Sequence, residues 1–176
     1  KIALAGLLFY LTPLALAAAG YAPAAIGRAV MIYFILITCV TPLAARWSDR
    51  YRLRLSLVVV GGMIIGGGAL AGWYGGVAGT LIGIVALGIG TGLSAAALQA
   101  LANEVGTADG SIGVMAATAA FRTIERIGSA IGPLLAGTLL LAGSYGSAMA
   151  AIGGVLLLGA LLLWLTFGWP QTRRAG

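Results

Sequence analysis

The chain has 176 residues, of which 61% are hydrophobic and 8% charged, with ten Lys and Arg against four Asp and Glu and a net charge of +6. Soluble domains carry about 25% charged residues, so this composition argues against a soluble enzyme, and its ample apolar content argues against disorder. Residues 55–103 and 127–172 contain no charged residue, and each run exceeds 45 residues; one membrane-spanning helix needs about 20, so each run holds two spans.

Six spans result. Span one covers about 2–19, contains Pro13 and ends in the turn Gly20-Tyr21-Ala22-Pro23. Span two covers about 24–45 and leads into the most charged stretch, Arg46-Trp47-Ser48-Asp49-Arg50-Tyr51-Arg52-Leu53-Arg54. Span three covers about 55–73 and span four about 77–102, with Trp73-Tyr74-Gly75-Gly76 as the turn between them. A polar loop over 103–110 carries Glu104 and Asp109. Span five covers about 111–142 and span six about 147–168, before Trp169-Pro170 and the basic tail Arg173-Arg174. The runs are too long for membrane β-strands of about 10 alternating residues, and a helix satisfies its backbone within one segment. An all-α membrane protein of six transmembrane helices is expected, with the lipid bilayer as its first partner.

With six spans, Lys1, Arg46, Arg50, Arg52, Arg54, Arg173 and Arg174 share one side, against Arg28 on the other. The positive-inside rule places that side, and both ends of the chain, in the cytoplasm. Basic residues placed for orientation leave no reason to invoke nucleic acid. There is no His and one Cys, Cys39, so no metal site, disulfide or cofactor is expected. Thr41-Pro42-Leu43-Ala44 resembles Gly132-Pro133-Leu134-Leu135 at an offset of 133 − 42 = 91 residues. Two three-span units in one chain necessarily run in opposite directions, which makes a 3+3 inverted repeat.

Three charges sit inside span five: Arg122, Glu125 and Arg126. A charge near the bilayer centre costs about 2.5–3.5 kcal/mol on insertion scales, so the group requires pairing or a wet cavity. Arg122 and Glu125 are three residues apart and share a helix face; Thr118 and Ser129 extend that stripe. Gly128 and Gly132 lie on another side, suited to close helix contact. The functional reading is a substrate or coupling site; the plain one is an ion pair that stiffens the bundle. The cluster's net charge of +1 slightly favours an anionic solute. Glu104 and Asp109 fall on the side of the loop arginines and can pair with them, and Asp49, just before span three, can cap that helix.

The stretch PLAARWSDRYRLR at 42–54 is similar to the G-x-x-x-D-R-x-G-x-R/K-R/K loop motif of the major facilitator superfamily of secondary transporters; Asp49, Arg50 and Arg54 match it, while Ala45 and Arg52 replace its glycines. The opening FYLTPLALAAAGYAPAAIG resembles that family's seventh helix and turn, and span four lacks the arginine common in its fourth. The resemblance covers nearly the whole chain. It implies half of a twelve-helix fold, the C-terminal half (helices seven to twelve), with the N-terminal half as the alternative, and a second six-helix half in the same chain. It further implies a cytoplasmic gate at Asp49, Arg50 and Arg54, peripheral spans three and six, and a cavity lined by spans one, two and four, where Tyr10, Tyr33, Thr38, Ser94 and Gln99 are candidates. Gly128, Gly132, Pro133 and Gly137 resemble the glycine-proline motif of the family's antiporters, though packing and a kink explain them equally. The expected function is secondary transport of a small solute across a bacterial cytoplasmic membrane, with proton coupling as an option and no enzymatic chemistry. The alternative is a membrane sensory or anchoring module of a larger fused protein.

Overall fold

An apolar chain in lipid has only its own backbone to hydrogen-bond with, and helix is what forms here. The computed structural model describes residues 1–51, 53–74, 76–108 and 113–168, and contains no strand among them. Six helices follow in order: α1 Ile2–Ala18, α2 Pro23–Tyr51, α3 Arg54–Tyr74, α4 Gly76–Ala108, α5 Gly113–Ala142 and α6 Tyr145–Leu163. The last runs on as a π-helical turn, Trp164–Gly168. Helices α2 to α6 are long and apolar enough to cross a membrane; α1 is shorter. Within α1, Ala5–Leu11 is π-helical, and the Thr12 N–H donates to the Leu7 carbonyl five residues back. Pro13, which has no N–H to donate, follows at once.

Glycine with positive φ ends or starts three of these helices, at Gly20 (φ 83°), Gly76 (φ 51°) and Gly113 (φ 72°). Helix α6 begins instead on a capping box: the Ser147 N–H donates to Ser144 Oγ at 3.2 Å and the Ser144 N–H to Ser147 Oγ at 2.8 Å. Two expectations need correction. The polar stretch from Asn103 is helical as far as Ala108, not a loop, because its side chains bond within the helix: Gln99 Nε2 donates to Asn103 Oδ1 at 3.3 Å and Thr107 Oγ1 to the Glu104 carbonyl at 2.8 Å. Asp49 lies in the last turn of α2 rather than ahead of α3, so it does not cap that helix; α2, at 29 residues, outruns the apolar segment that defined it.

Helix α4 is the hub. It packs on α2, α3 and α5, while α3 also packs on α6 and α1 on α5. Lipid-embedded helices gain from close approach, and glycines supply it. A Cβ on Gly61 of α3 would lie 2.5 Å from the Gly90 carbonyl of α4, and one on Gly6 of α1 would lie 2.9 Å from the Gly132 carbonyl of α5. Gly66 of α3 and Gly153 of α6 are matched in the same way. So α3, apolar on every side in sequence, is not uniformly lipid-facing: it packs through Gly61 and Gly68 against α4 and through Gly66 and Gly72 against α6, while Val60 and Met63 are exposed. A core of Leu7, Leu8, Leu11, Tyr33, Ile84 and Leu87 joins α1, α2 and α4. A smaller one, Ala44, Leu57, Leu93 and Ala97, joins α2, α3 and α4 towards the charged end.

Candidate functional site

Alone among the spans, α5 carries charges well inside its length, and the structure sends them to different places. The Glu125 side chain is 18% exposed, and its Oε2 accepts from Arg122 Nη1 at 3.0 Å. Its other oxygen, Oε1, lies 3.6 Å from Lys1 Nζ at the start of α1. The carboxylate therefore ties α5 to α1 and is itself held by the guanidinium one turn before it. Arg122 is 60% exposed on its side chain and Arg126 is exposed as well.

Beside Glu125 lies a cavity of about 300 Å³ between α1, α3, α4, α5 and α6. Its walls are mostly apolar, with Ile65, Leu98, Phe121, Ile124 and Leu156. Its polar lining is Lys1, Glu125, Thr91 and Ser94. The Ser94 hydroxyl donates to the Gly90 carbonyl at 2.9 Å. Thr91 is 7% exposed, and its Oγ1 has no hydrogen-bonded partner. The polar group it faces is the Tyr33 hydroxyl of α2. Arg122 and Arg126 do not line this cavity, so the +1 counted along the sequence is not the charge of its walls.

The other candidates are dispersed. Thr118 Oγ1 donates to Asn103 Oδ1 at 3.0 Å, and Gln99 Nε2 donates to the same oxygen at 3.3 Å. Thr118 and Gln99 thus meet through Asn103, apart from the Arg122–Glu125 pair. The Ser129 hydroxyl donates to the Glu125 backbone carbonyl at 2.9 Å, a local bond within α5. Tyr33 is 3% exposed in the core. Tyr10 borders a separate groove of about 330 Å³ on α1 and α5 with Pro133, Leu134, Gly137 and Thr138. Gly128 and Gly132 are buried against Ile2 and Ala5 of α1, and a Cβ on Gly137 would meet the Tyr10 hydroxyl at 3.3 Å.

At the charged end Arg54 Nη1 of α3 pairs with Glu104 Oε1 of α4. Arg50 lies 5.6 Å from the centroid of the Tyr51 ring, and Asp49 is exposed. Asp109 lies outside the described residues. Sequence reasoning passed over Lys1, counted only as an orienting charge, and Thr91 and Asn103, which are ordinary residues until packing sets their neighbours. Among the described residues no group of three or more Asp, Glu, Cys or His converges.

No curated protein and no solved structure matches this chain. The family model described as Major Facilitator Superfamily matches residues 2–175, nearly the whole chain, and together with the bundle of long apolar helices this means that the chain is a multi-pass membrane protein belonging to the major facilitator superfamily of membrane transporters.

Proposed function

We propose that the chain is one six-helix half, the C-terminal one, of a secondary transporter that moves a small solute by alternating access against a second half in the same chain. The observation that carries this reading is a carboxylate on a membrane-length helix, paired with Arg122 and Lys1 and facing a cavity of about 300 Å³. The pair lies at the Lys1 end of α1, the cytoplasmic end in the proposed orientation, and a cavity beside a carboxylate is where a transporter would use it. The proposed orientation has both ends in the cytoplasm of a bacterial inner membrane, on the strength of the arginine distribution. The low burial of α2 and α5 supports a second half against them, and the guanidiniums of Arg122 and Arg126 on the open face of α5 favour an anionic group of the solute there. Glu125 serves as the coupling carboxylate. Asp49, Arg50, Arg54, Glu104 and Asp109 form the cytoplasmic gate, for which the Arg54–Glu104 pair supplies one link.

Proteoliposomes loaded with a pH dye and given a panel of organic acids, amino acids, sugars and amines test this. Wild-type protein gives solute-dependent proton movement, and Glu125→Gln and Arg122→Ala each reduce it at least tenfold with unchanged reconstitution. Wild-type rates in both variants, or no response to any solute in the wild type, would remove the reading.

A further inference from the structure

Helix α2 is longer than the oil is deep. Its 29 residues span about 43 Å at about 1.5 Å per residue, against about 30 Å of hydrocarbon. The uncharged run within it stops at Ala45, so the turns at 46–51 stand at headgroup level. Ala44 and Ser48 are buried, and Ala44 shares a core with Leu57 of α3 and Leu93 and Ala97 of α4, which fixes the side of α2 that turns outward. On that outer side Leu43, Arg46, Trp47 and Arg50 are exposed; spaced by three and four residues, they form one patch. Tyr51, exposed as well, follows Trp47 by one turn, and its ring centroid lies 5.6 Å from the Arg50 guanidinium carbon. Towards the oil, Ile35 and Cys39 extend the stripe from Leu43.

Charge selects the partner. Arg54 is matched by Glu104, but among the described residues Arg46 and Arg50 stand in no ion pair, and Asp49, exposed on the same turn, closes on neither. In sequence, Arg46, Arg50, Arg52 and Arg54 stand against Asp49, Glu104 and Asp109, an excess of 4 − 3 = 1 positive charge, to which Lys1, Arg173 and Arg174 on the same side only add. A phosphodiester carries one negative charge. Guanidiniums offer planar forks that match phosphate oxygens, Trp and Tyr favour the interfacial layer, and the apolar stripe suits an acyl chain. A soluble anion would use the arginines and leave the stripe idle. A second six-helix half laid on the α1 side of α2 leaves the patch open. Helix α2 meets α1 through Phe34 and Phe9, with ring centroids 6.5 Å apart; Leu43, nine residues after Phe34, is about two and a half turns on, on the opposite side. We propose that residues 43–51 bind one anionic phospholipid, its phosphate on Arg46 and Arg50 and its chain along Leu43 and Cys39. Basic segments just outside a span attract such lipids in general; the aromatic and apolar neighbours make this one a site. The proposed orientation enters only in assigning the lipid to the cytoplasmic leaflet.

Delipidated protein in a neutral detergent, titrated with phosphatidylglycerol, phosphatidylcholine or glycerol phosphate and read by native mass spectrometry, tests this. The expected result is one phosphatidylglycerol per chain, held at least fivefold more tightly than phosphatidylcholine, with no retained glycerol phosphate. Arg46→Gln combined with Arg50→Gln weakens that binding at least fivefold. Trp47→Ala weakens it with every charge kept. Arg28→Gln, which removes an exposed arginine from the other end of α2, leaves it unchanged. Equal binding of the two lipids, or an equal loss in Arg28→Gln, would reduce the patch to general attraction between a basic protein and an acidic lipid. Retained glycerol phosphate would make it a free-anion site, and wild-type affinity in either the double variant or Trp47→Ala would place the lipid elsewhere. Each of these overturns the proposal, as does no binding of phosphatidylglycerol. No flux is read, so the result stands apart from the transporter reading, and thiol labelling of Tyr51→Cys decides the leaflet separately.

Discussion

Glycines of identical appearance in the sequence have opposite consequences in the structure. Gly132 is in tight contact with Ile2, Ala5 and Gly6 of α1, whereas a Cβ on Gly154 would meet nothing within 4 Å. Forcing extra methyl groups into such a seam costs about 1–3 kcal/mol or more. Gly132→Val should therefore lower the thermal midpoint of the detergent-purified protein by several degrees, while Gly154→Ala leaves it unchanged. Equal midpoints for the two variants would mean that the α1–α5 seam does not hold the bundle together. Composition gives no hint of this difference, because 29 glycines look alike until their neighbours are known. The same holds for charge. The spacing of Arg122 and Glu125 gives their 3.0 Å pairing, since three residues bring side chains to one helix face. It does not tell that Glu125 turns to the cavity while the arginines turn outward, a distinction set by where α1 and α4 lie.

Among elements, α4 and α5 are joined through one side chain. Asn103 Oδ1 accepts from both Gln99 and Thr118, and a Cβ on Gly106 would meet Val114 Cα at 2.7 Å. Hydrogen bonds of this kind contribute about 0.5–1.5 kcal/mol each, so Asn103→Ala should cost about 1–2 kcal/mol in stability. Thr118→Val added to it should cost nothing further, because its partner is already gone; additive losses in thermal melts would show that the two residues act separately. The sequence marked this stretch as loop because Asn, Thr and Asp compete with the backbone for hydrogen bonds. In the structure Thr107 satisfies that competition within the helix, and α4 continues to Ala108. Membrane spans are legible from run length because the oil sets it; a helix that leaves the oil is no longer governed by that rule, and α2 and α4 both do so.

At the level of the whole molecule, six helices and their apolar character follow from the sequence, and the pairing among them does not. Orientation depends on arginines collected near one end, and it is open to direct measurement. In a Cys39→Ser background, Tyr21→Cys and Tyr51→Cys place a thiol at two exposed turns or helix ends. A membrane-impermeant maleimide should label the first in intact cells and the second only after permeabilisation; the reverse pattern would invert the topology. The pairing of helices also bears on how the protein is made. Gly6 of α1 rests on Gly132 of α5, a separation of 132 − 6 = 126 residues. At about 5–20 residues per second of synthesis, α1 leaves the ribosome about 6–25 s before its principal neighbour. During that interval its π-helical stretch faces lipid or the insertion machinery, whereas α2, α3 and α4 can close on each other as soon as the fourth helix emerges.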